Sequence, residues 1–275
     1  MSDQLPKITL HWLDKSRSHR ILFLLEELQL PYELKIYKRN PITNLAGSAL
    51  KLIHPLGKFP VIEVRHEDQE ETIVIAESAV IVEYLVENFG RHLLPDKDDD
   101  GRDDGRHNGD GDLGERGPNE EGRTATPRDI SWLRYKYFLH YAEGSVMNVL
   151  LIAVMVTFLR TTPLFLLVRP LARAIAWQLE KQYVKNTLVT HIEFLEDELS
   201  KQGNKGDFFV GDKLTGADIM MSFPVEVLKA RGDLDSGRYP FLVRYLERLK
   251  SRETWKRADA KIFEVTGVER RMDIR

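Results

Sequence analysis

Ser16 stands between an alternating apolar run, KITLHWL, and a helix-forming run, SHRILFLLEELQL. A hydroxyl at a helix start lies beside orphan backbone N–H groups and the positive end of the helix dipole. It can help to hold an anion there, a thiolate included. An ordinary N-cap serine fits the same place, and Ser18 competes for that role. A second group lies in HPLGKFPVIEV, residues 54–64. Pro60 opens an apolar run after a loop that contains Gly57. A cis-proline in such a turn leaves the backbone of the preceding residue, Phe59, free to pair with an extended peptide. Lys58 beside it can meet a carboxylate. A proline at the first position of a strand, next to a surface lysine, gives the same string. The third group is AESAV, residues 76–80, where a strand-like run gives way to a helical one. Ser78 is a natural N-cap there, and the exposed N–H groups beside it can bind a carboxylate. Glu77 can bind an ammonium, or be a plain acid at a helix start.

Together the three groups offer thiolate support, extended-backbone pairing and a carboxylate nest with an ammonium partner. Those needs are the ones presented by the tripeptide γ-Glu-Cys-Gly. The chain itself has no cysteine. Disulfides, thiolate metal sites, CxxC redox chemistry and a cysteine nucleophile are therefore excluded.

The elements that must position these residues follow from periodicity. Residues 7–13 alternate as a strand, and Ile21, Leu22, Leu24, Leu25 and Leu28 share one helical face up to Pro31. YELKIY alternates again, and a weaker helix is expected over 44–53. Strands at 61–64 and 72–76 flank the polar turn RHEDQEE, which implies an antiparallel hairpin. A helix then runs to Gly90, its expected stop. The order β-α-β-α-β-β-α is that of a thioredoxin-like domain, set at residues 1–95. Residues 96–126, rich in acid, arginine and glycine, bury too little apolar surface to offset ordering and are expected to be a disordered linker. Asp96, Asp98, Asp100 and Gly101 imitate the start of a calcium loop. The twelfth position is His107 rather than glutamate, so no metal site is assigned. From 127 to 275 the pattern is helical. Pro163 and Pro170 are expected to break it, and YPFLVRYLERLKSRETWKRAD reads as the last clear helix. Residues 144–159 carry no charge over sixteen positions, short of the roughly 20 a membrane span needs. A buried helix is the expectation. Peripheral membrane association stays open, because Arg160, Arg169 and Arg173 would suit a membrane surface as well as a solvated face.

The chain of 275 residues is 42% hydrophobic and 30% charged, with net charge −3 and pI about 6.3. It lacks the basic stripe of a nucleic-acid binder. The N-terminal MSDQLPKITLHW has no apolar signal segment, so a cytoplasmic location is expected.

The strings SRSHRILFLLEELQLPYE, HPLGKFPVIE, AESAVIVEYL and LTGADIMMSFP resemble the glutathione transferase superfamily over nearly the whole chain except 96–126. HWLDKSRSHR, YKRN, IHPLGKFP and YAEGS are most similar to its fungal, yeast-type serine branch. The resemblance implies an α+β chain: a thioredoxin-like glutathione domain, an all-helical C-terminal domain and a homodimer. The long 96–126 segment departs from the family's short linkers. Residue by residue, Ser16 matches the serine four positions before the helix arginine, here Arg20, whose hydroxyl donates to the glutathione sulfur. Lys58, Phe59, Glu77 and Ser78 match glutathione-contacting positions. Ser18 has no such match and reads as a cap. Thr215 and Asp218 match the family's structural N-capping motif. An electrophile pocket is implied between the domains, with Tyr137, Tyr141, Met147 and Leu151 as candidates against ordinary core or dimer packing. Activity on hydrophobic electrophiles, with possible peroxidase turnover, is the implied function. A non-catalytic binding or scaffold protein of the same fold is the alternative.

Overall fold

A computed structural model describes residues 5–40, 47–66, 71–95, 127–161, 168–201 and 207–272. Strands β1 (Lys7–Leu13), β2 (Tyr32–Tyr37), β3 (Val61–Arg65) and β4 (Ile73–Ala76) form one mixed sheet in the order β2-β1-β3-β4. β1 and β2 run parallel, joined by α1 (Ser18–Glu27). β3 lies antiparallel to β1 and β4 antiparallel to β3. Alternation in β1 buries Ile8, Leu10 and Trp12 on one face and His11 on the other. α1 and α2 (Ser78–Phe89) bury Ile21–Leu25 and Ile81, Val82, Leu85 and Val86. The fold is thioredoxin-like, as the element order predicts. The helix expected over 44–53 is a short 3₁₀ turn at Ser48–Leu52 among the described residues. Gly90 does end α2, but through close approach rather than a left-handed cap. Its φ is −133°, and a Cβ there would meet Leu28 Cδ2 at 2.4 Å.

The C-terminal half is helical. α3 (Pro127–Tyr141) continues into α4 (Met147–Thr161) through a π-type turn at Ala142–Val146. α5 (Arg169–Leu179) continues into α6 (Lys185–Lys201) through a second one at Glu180–Val184. α7 (Gly216–Arg231) is the central helix, buried along Gly216–Leu228. Its start is held by a capping box in which Thr215 N–H donates to Asp218 Oδ2 at 2.9 Å. Pro170 sits in the first turn of α5, where a missing N–H leaves nothing unpaired, so it starts a helix instead of breaking one. The single last helix read from the sequence is two, α8 (Pro240–Ser251) and α9 (Glu253–Thr266). Arg252 turns extended between them (φ −62°, ψ 138°). Pro163 and residues 96–126 lie outside the described residues.

α1 packs on α7 and α9, and α2 packs on α7. Gly216 permits this docking: a Cβ there would sit 2.7 Å from the Tyr135 hydroxyl and 3.3 Å from Val82. Glu27 receives Arg252 Nε at 3.2 Å and Glu26 receives Arg257 Nε at 2.9 Å, so α1 is also ionically tied to α9 and its N-cap. The continuous helix Ile130–Thr161 is long and apolar enough, by length and composition alone, to cross a membrane. Its inner face, with Tyr135, Phe138, Leu150 and Ala153, is buried in the helical core. Leu151, Met155 and Phe158 form an exposed apolar stripe on its outer face.

Candidate functional site

Ser16 lies in the turn between β1 and α1, beyond the carboxyl end of the parallel β1–β2 pair. Its Oγ donates to Leu13 O at 2.7 Å, accepts Ser18 N–H at 3.2 Å and lies 2.9 Å from Ser18 Oγ. Ser18 is fully buried as the first residue of α1, and its Oγ accepts Leu13 N–H at 3.4 Å. The expected division of labour is thus partly exchanged. Ser16 satisfies the orphan N–H near the helix start, and Ser18 is not the N-cap. That position belongs to Arg17, which makes no side-chain cap. Of the two hydroxyls, only that of Ser16 belongs to a partly exposed residue. Arg39 fastens this turn to the exit of β2 by donating to Asp14 O and Lys15 O, each at 3.1 Å.

The Phe59–Pro60 bond is cis. Phe59 stands two residues before β3, so its backbone is outside the strand ladder. Its ring packs edge-on against Tyr37 at 5.0 Å between centroids. The Tyr37 hydroxyl lies 2.8 Å from His11 Nδ1, and His11 Nε2 lies 2.7 Å from Glu63 Oε1. Phe59 is therefore backed by a polar chain that crosses three strands. Lys58 is exposed.

Between β4 and α2, Glu77 takes the N-cap position with φ 67° and ψ 122°. This conformation is rare for a residue with a side chain. Ser78, expected as the cap, is instead the first helical residue and is buried. Its Oγ accepts Arg20 Nη2–H at 3.1 Å. Arg20 also donates from Nη1 to Met220 O at 2.9 Å and from Nη2 to Glu143. The Arg20 side chain is 0% exposed. Burial pulls its guanidinium pKa down, and the neighbouring Glu143 carboxylate opposes that pull. Glu143 comes from the π-type turn between α3 and α4 and also pairs with Arg17 Nη1 at 3.0 Å. Arg17 and Glu143 were not singled out from the sequence. The available signal was an acid, Glu143, immediately before the sixteen uncharged residues 144–159.

The four residues proposed for an electrophile pocket do not share one environment. Tyr137 (48% exposed) and Leu151 (51%) are at the surface, whereas Tyr141 (7%) and Met147 (6%) are buried. Tyr137 stacks on Tyr141, whose hydroxyl lies 2.5 Å from His191 Nδ1. Tyr141 thus points into the packing between α3 and α6. Among the described residues, no group of three or more His, Asp or Glu could hold a metal ion.

Comparisons with known proteins bear on the family and the fold. The family model for the glutathione S-transferase N-terminal domain matches residues 16–88, which span all three site segments. The model for the glutathione S-transferase C-terminal domain matches residues 172–257. Glutathione S-transferase 1 of Saccharomyces cerevisiae is 31% identical over 252 residues, covering 91% of this chain and 93% of that protein. A glutathione S-transferase of Actinobacillus pleuropneumoniae superposes with TM-score 0.62 at 27% identity, covering 97% of this chain and 95% of that one. A glutathione transferase homologue of Lodderomyces elongisporus, solved with two glutathione molecules per subunit, shares the fold. Its TM-score is 0.62 at 17% identity, with 95% of this chain and 100% of that chain covered. With the N- and C-terminal domain models both matched and a 31%-identical relative covered over 93% of its length, the chain belongs to the glutathione S-transferase family.

Proposed function

We propose that the protein is an active glutathione transferase in which Ser16 activates the thiol of bound glutathione. The observation that carries this reading is the hydrogen-bond state of Ser16. Its oxygen accepts the Ser18 N–H and touches the Ser18 hydroxyl, while its own proton rests on Leu13 O. Rotation about the Cβ–Oγ bond frees that proton for a sulfur above the turn. Donors on the Ser16 oxygen polarise its O–H and strengthen it as a donor. A free cysteine thiol has a pKa near ~8.5, so little of it is thiolate at neutral pH. A hydroxyl donor and the N-terminus of α1 both favour the anion. In this reading the Phe59 backbone pairs with the cysteinyl residue, Lys58 meets a carboxylate, and Glu77 and Ser78 take the γ-glutamyl ammonium and carboxylate.

The thiolate sulfur then attacks an electrophilic carbon, and the leaving group departs with the bonding pair. With a hydroperoxide, sulfur attacks oxygen and the alcohol leaves with a proton. A second glutathione converts the resulting sulfenic acid to the disulfide and water. Tyr137 and Leu151 supply exposed apolar surface for a hydrophobic electrophile, Tyr137 being stacked on the buried Tyr141. The exposed Met155 and Phe158 suit a second copy of the chain, and a homodimer belongs to the same reading.

The bond from Ser16 to Leu13 O favours a second reading, a glutathione-binding protein that does not turn over. Ser16→Ala separates the two. Thiolate absorbance of bound glutathione is titrated in both proteins, and turnover is measured over haloarenes, enals and hydroperoxides. The catalytic reading expects a higher thiol pKa in Ser16→Ala and a loss of turnover far larger than the loss of affinity. Equal thiol pKa values in the two proteins would leave Ser16 as a turn residue only.

A further inference from the structure

We propose that Glu143, a residue of the helical domain, is a positioning residue for the cosubstrate's γ-glutamyl carboxylate and acts through Arg20 and Ser78. The inference rests on the glutathione-binding reading above.

The first observation is the direction of the bond at Ser78. Its Oγ is an acceptor for Arg20 Nη2–H at 3.1 Å. A hydroxyl holds one proton to donate, and among the described residues that of Ser78 has no protein acceptor. Arg20 therefore occupies a lone pair of Ser78 and leaves its O–H able to donate to a ligand at the amino end of α2, where Ser78 is the first helical residue. A donor beside the orphan N–H groups of a helix start selects an anion. Swapping the direction is closed to this pair, because a guanidinium cannot accept.

The second observation is what fixes Arg20. Its side chain is fully buried, and its three partners come from three elements: Ser78 on α2, Met220 O on α7 and Glu143 in the π-type turn. Only Glu143 carries the opposite charge. A buried cation that loses its counter-charge shifts, draws in water or reorients. The donor to Ser78 would go with it.

The third observation is how Glu143 is itself held. Arg17 Nη1 takes its other oxygen at 3.0 Å, so the carboxylate is clamped between two arginines of the α1 start. The extra residue of the π-type turn alters the helical phase between α3 and α4 where Glu143 sits. π-bulges of this kind recur at functional sites. The Glu143–Arg20–Ser78 chain joins the helical domain to the carboxylate nest of the sheet domain, so that nest is complete only when the two domains are docked.

The test is a double-mutant cycle on affinity for S-methylglutathione, which keeps the γ-glutamyl carboxylate but has no thiol to ionise. Dissociation constants are measured by calorimetry for wild type, Glu143→Gln, Ser78→Ala and the double variant. Loss of one hydrogen bond to a charged group corresponds to about tenfold or more in affinity. Glu143→Gln is expected to weaken binding severalfold in the wild-type background and less than about twofold once Ser78 is alanine. Equal fold-losses in both backgrounds, or no loss in either, would overturn the role of Glu143 while leaving the binding reading intact. Absence of binding by wild type would overturn both. If circular dichroism shows Glu143→Gln to be unfolded, Glu143→Asp replaces it. Aspartate keeps the charge but shortens the reach, and the same non-additivity is expected.

Discussion

Glu77 holds a conformation with φ 67° that suits glycine better than glutamate. Such strain costs about 1–3 kcal/mol and persists where function needs the side chain. Glu77→Gly is therefore expected to raise stability by about 1 kcal/mol, the relief exceeding the 0.5–1 kcal/mol entropic penalty of glycine. Glu77→Ala keeps the strain and brings no such gain. Both variants remove the proposed ammonium partner and should lose about 1.5–3 kcal/mol of glutathione affinity. Urea unfolding and calorimetry on the pair decide the matter: undiminished affinity in both would place the ammonium elsewhere. At this scale the sequence was half legible. Residue types at positions 16, 58–59 and 77–78 pointed to a tripeptide. Which hydroxyl caps which helix did not follow, because Ser16 and Ser18 share one turn and their burial and hydrogen bonds are set by the folded turn.

The Asp218 carboxyl at the start of α7 is fully buried, and that burial predicts a pH effect. Asp218 Oδ1 accepts Phe209 N–H at 2.9 Å, while Oδ2 accepts Thr215 N–H at 2.9 Å and the Thr215 hydroxyl at 2.8 Å. Burial nevertheless raises its pKa from 3.8 to about 6, the hydrogen bonds from Phe209 and Thr215 opposing the rise. Between about pH 6 and 4 the folded protein holds a proton on Asp218 that the unfolded chain has released. That group alone therefore adds stability as pH falls through this window, on the order of 1–3 kcal/mol. Subtracting the pH profile of Asp218→Asn from that of wild type isolates it, and a difference that does not change between pH 7 and 4 would refute the shift. The capping box was legible because LTGAD places both partners three residues apart. The break between α8 and α9 was not. Ser251, Arg252 and Glu253 include neither glycine nor proline, and Arg252 leaves the helix where its side chain meets Glu27 on α1.

Over the whole molecule, local order was read and long-range pairing was not. Alternation and helical faces led to the β-α-β-α-β-β-α order, while no local signal connects Glu143 to Arg20 across 123 residues or Met220 to Arg20 across 200. The composition of residues 96–126 supports our proposal that they join the two domains, 1–95 and 127–275, without adding to either. A Gly/Ser replacement long enough to span the same gap should leave the thermal midpoint and glutathione affinity unchanged. A fall in either would assign that segment a packing role.

The three contacts of Arg20 also impose a timetable on synthesis. At about 5–20 residues per second, Met220 leaves the ribosome on the order of 10–40 s after Arg20. Until then the guanidinium has no carbonyl from α7 to accept its proton, and for much of that time it has no Glu143 either. A charge that ends fully buried must first remain in water. A nascent chain halted before the helical domain would hold sheet and α1 in an open, hydrated state, with its carboxylate nest unfinished. Assembly of the site is thus a late event of translation.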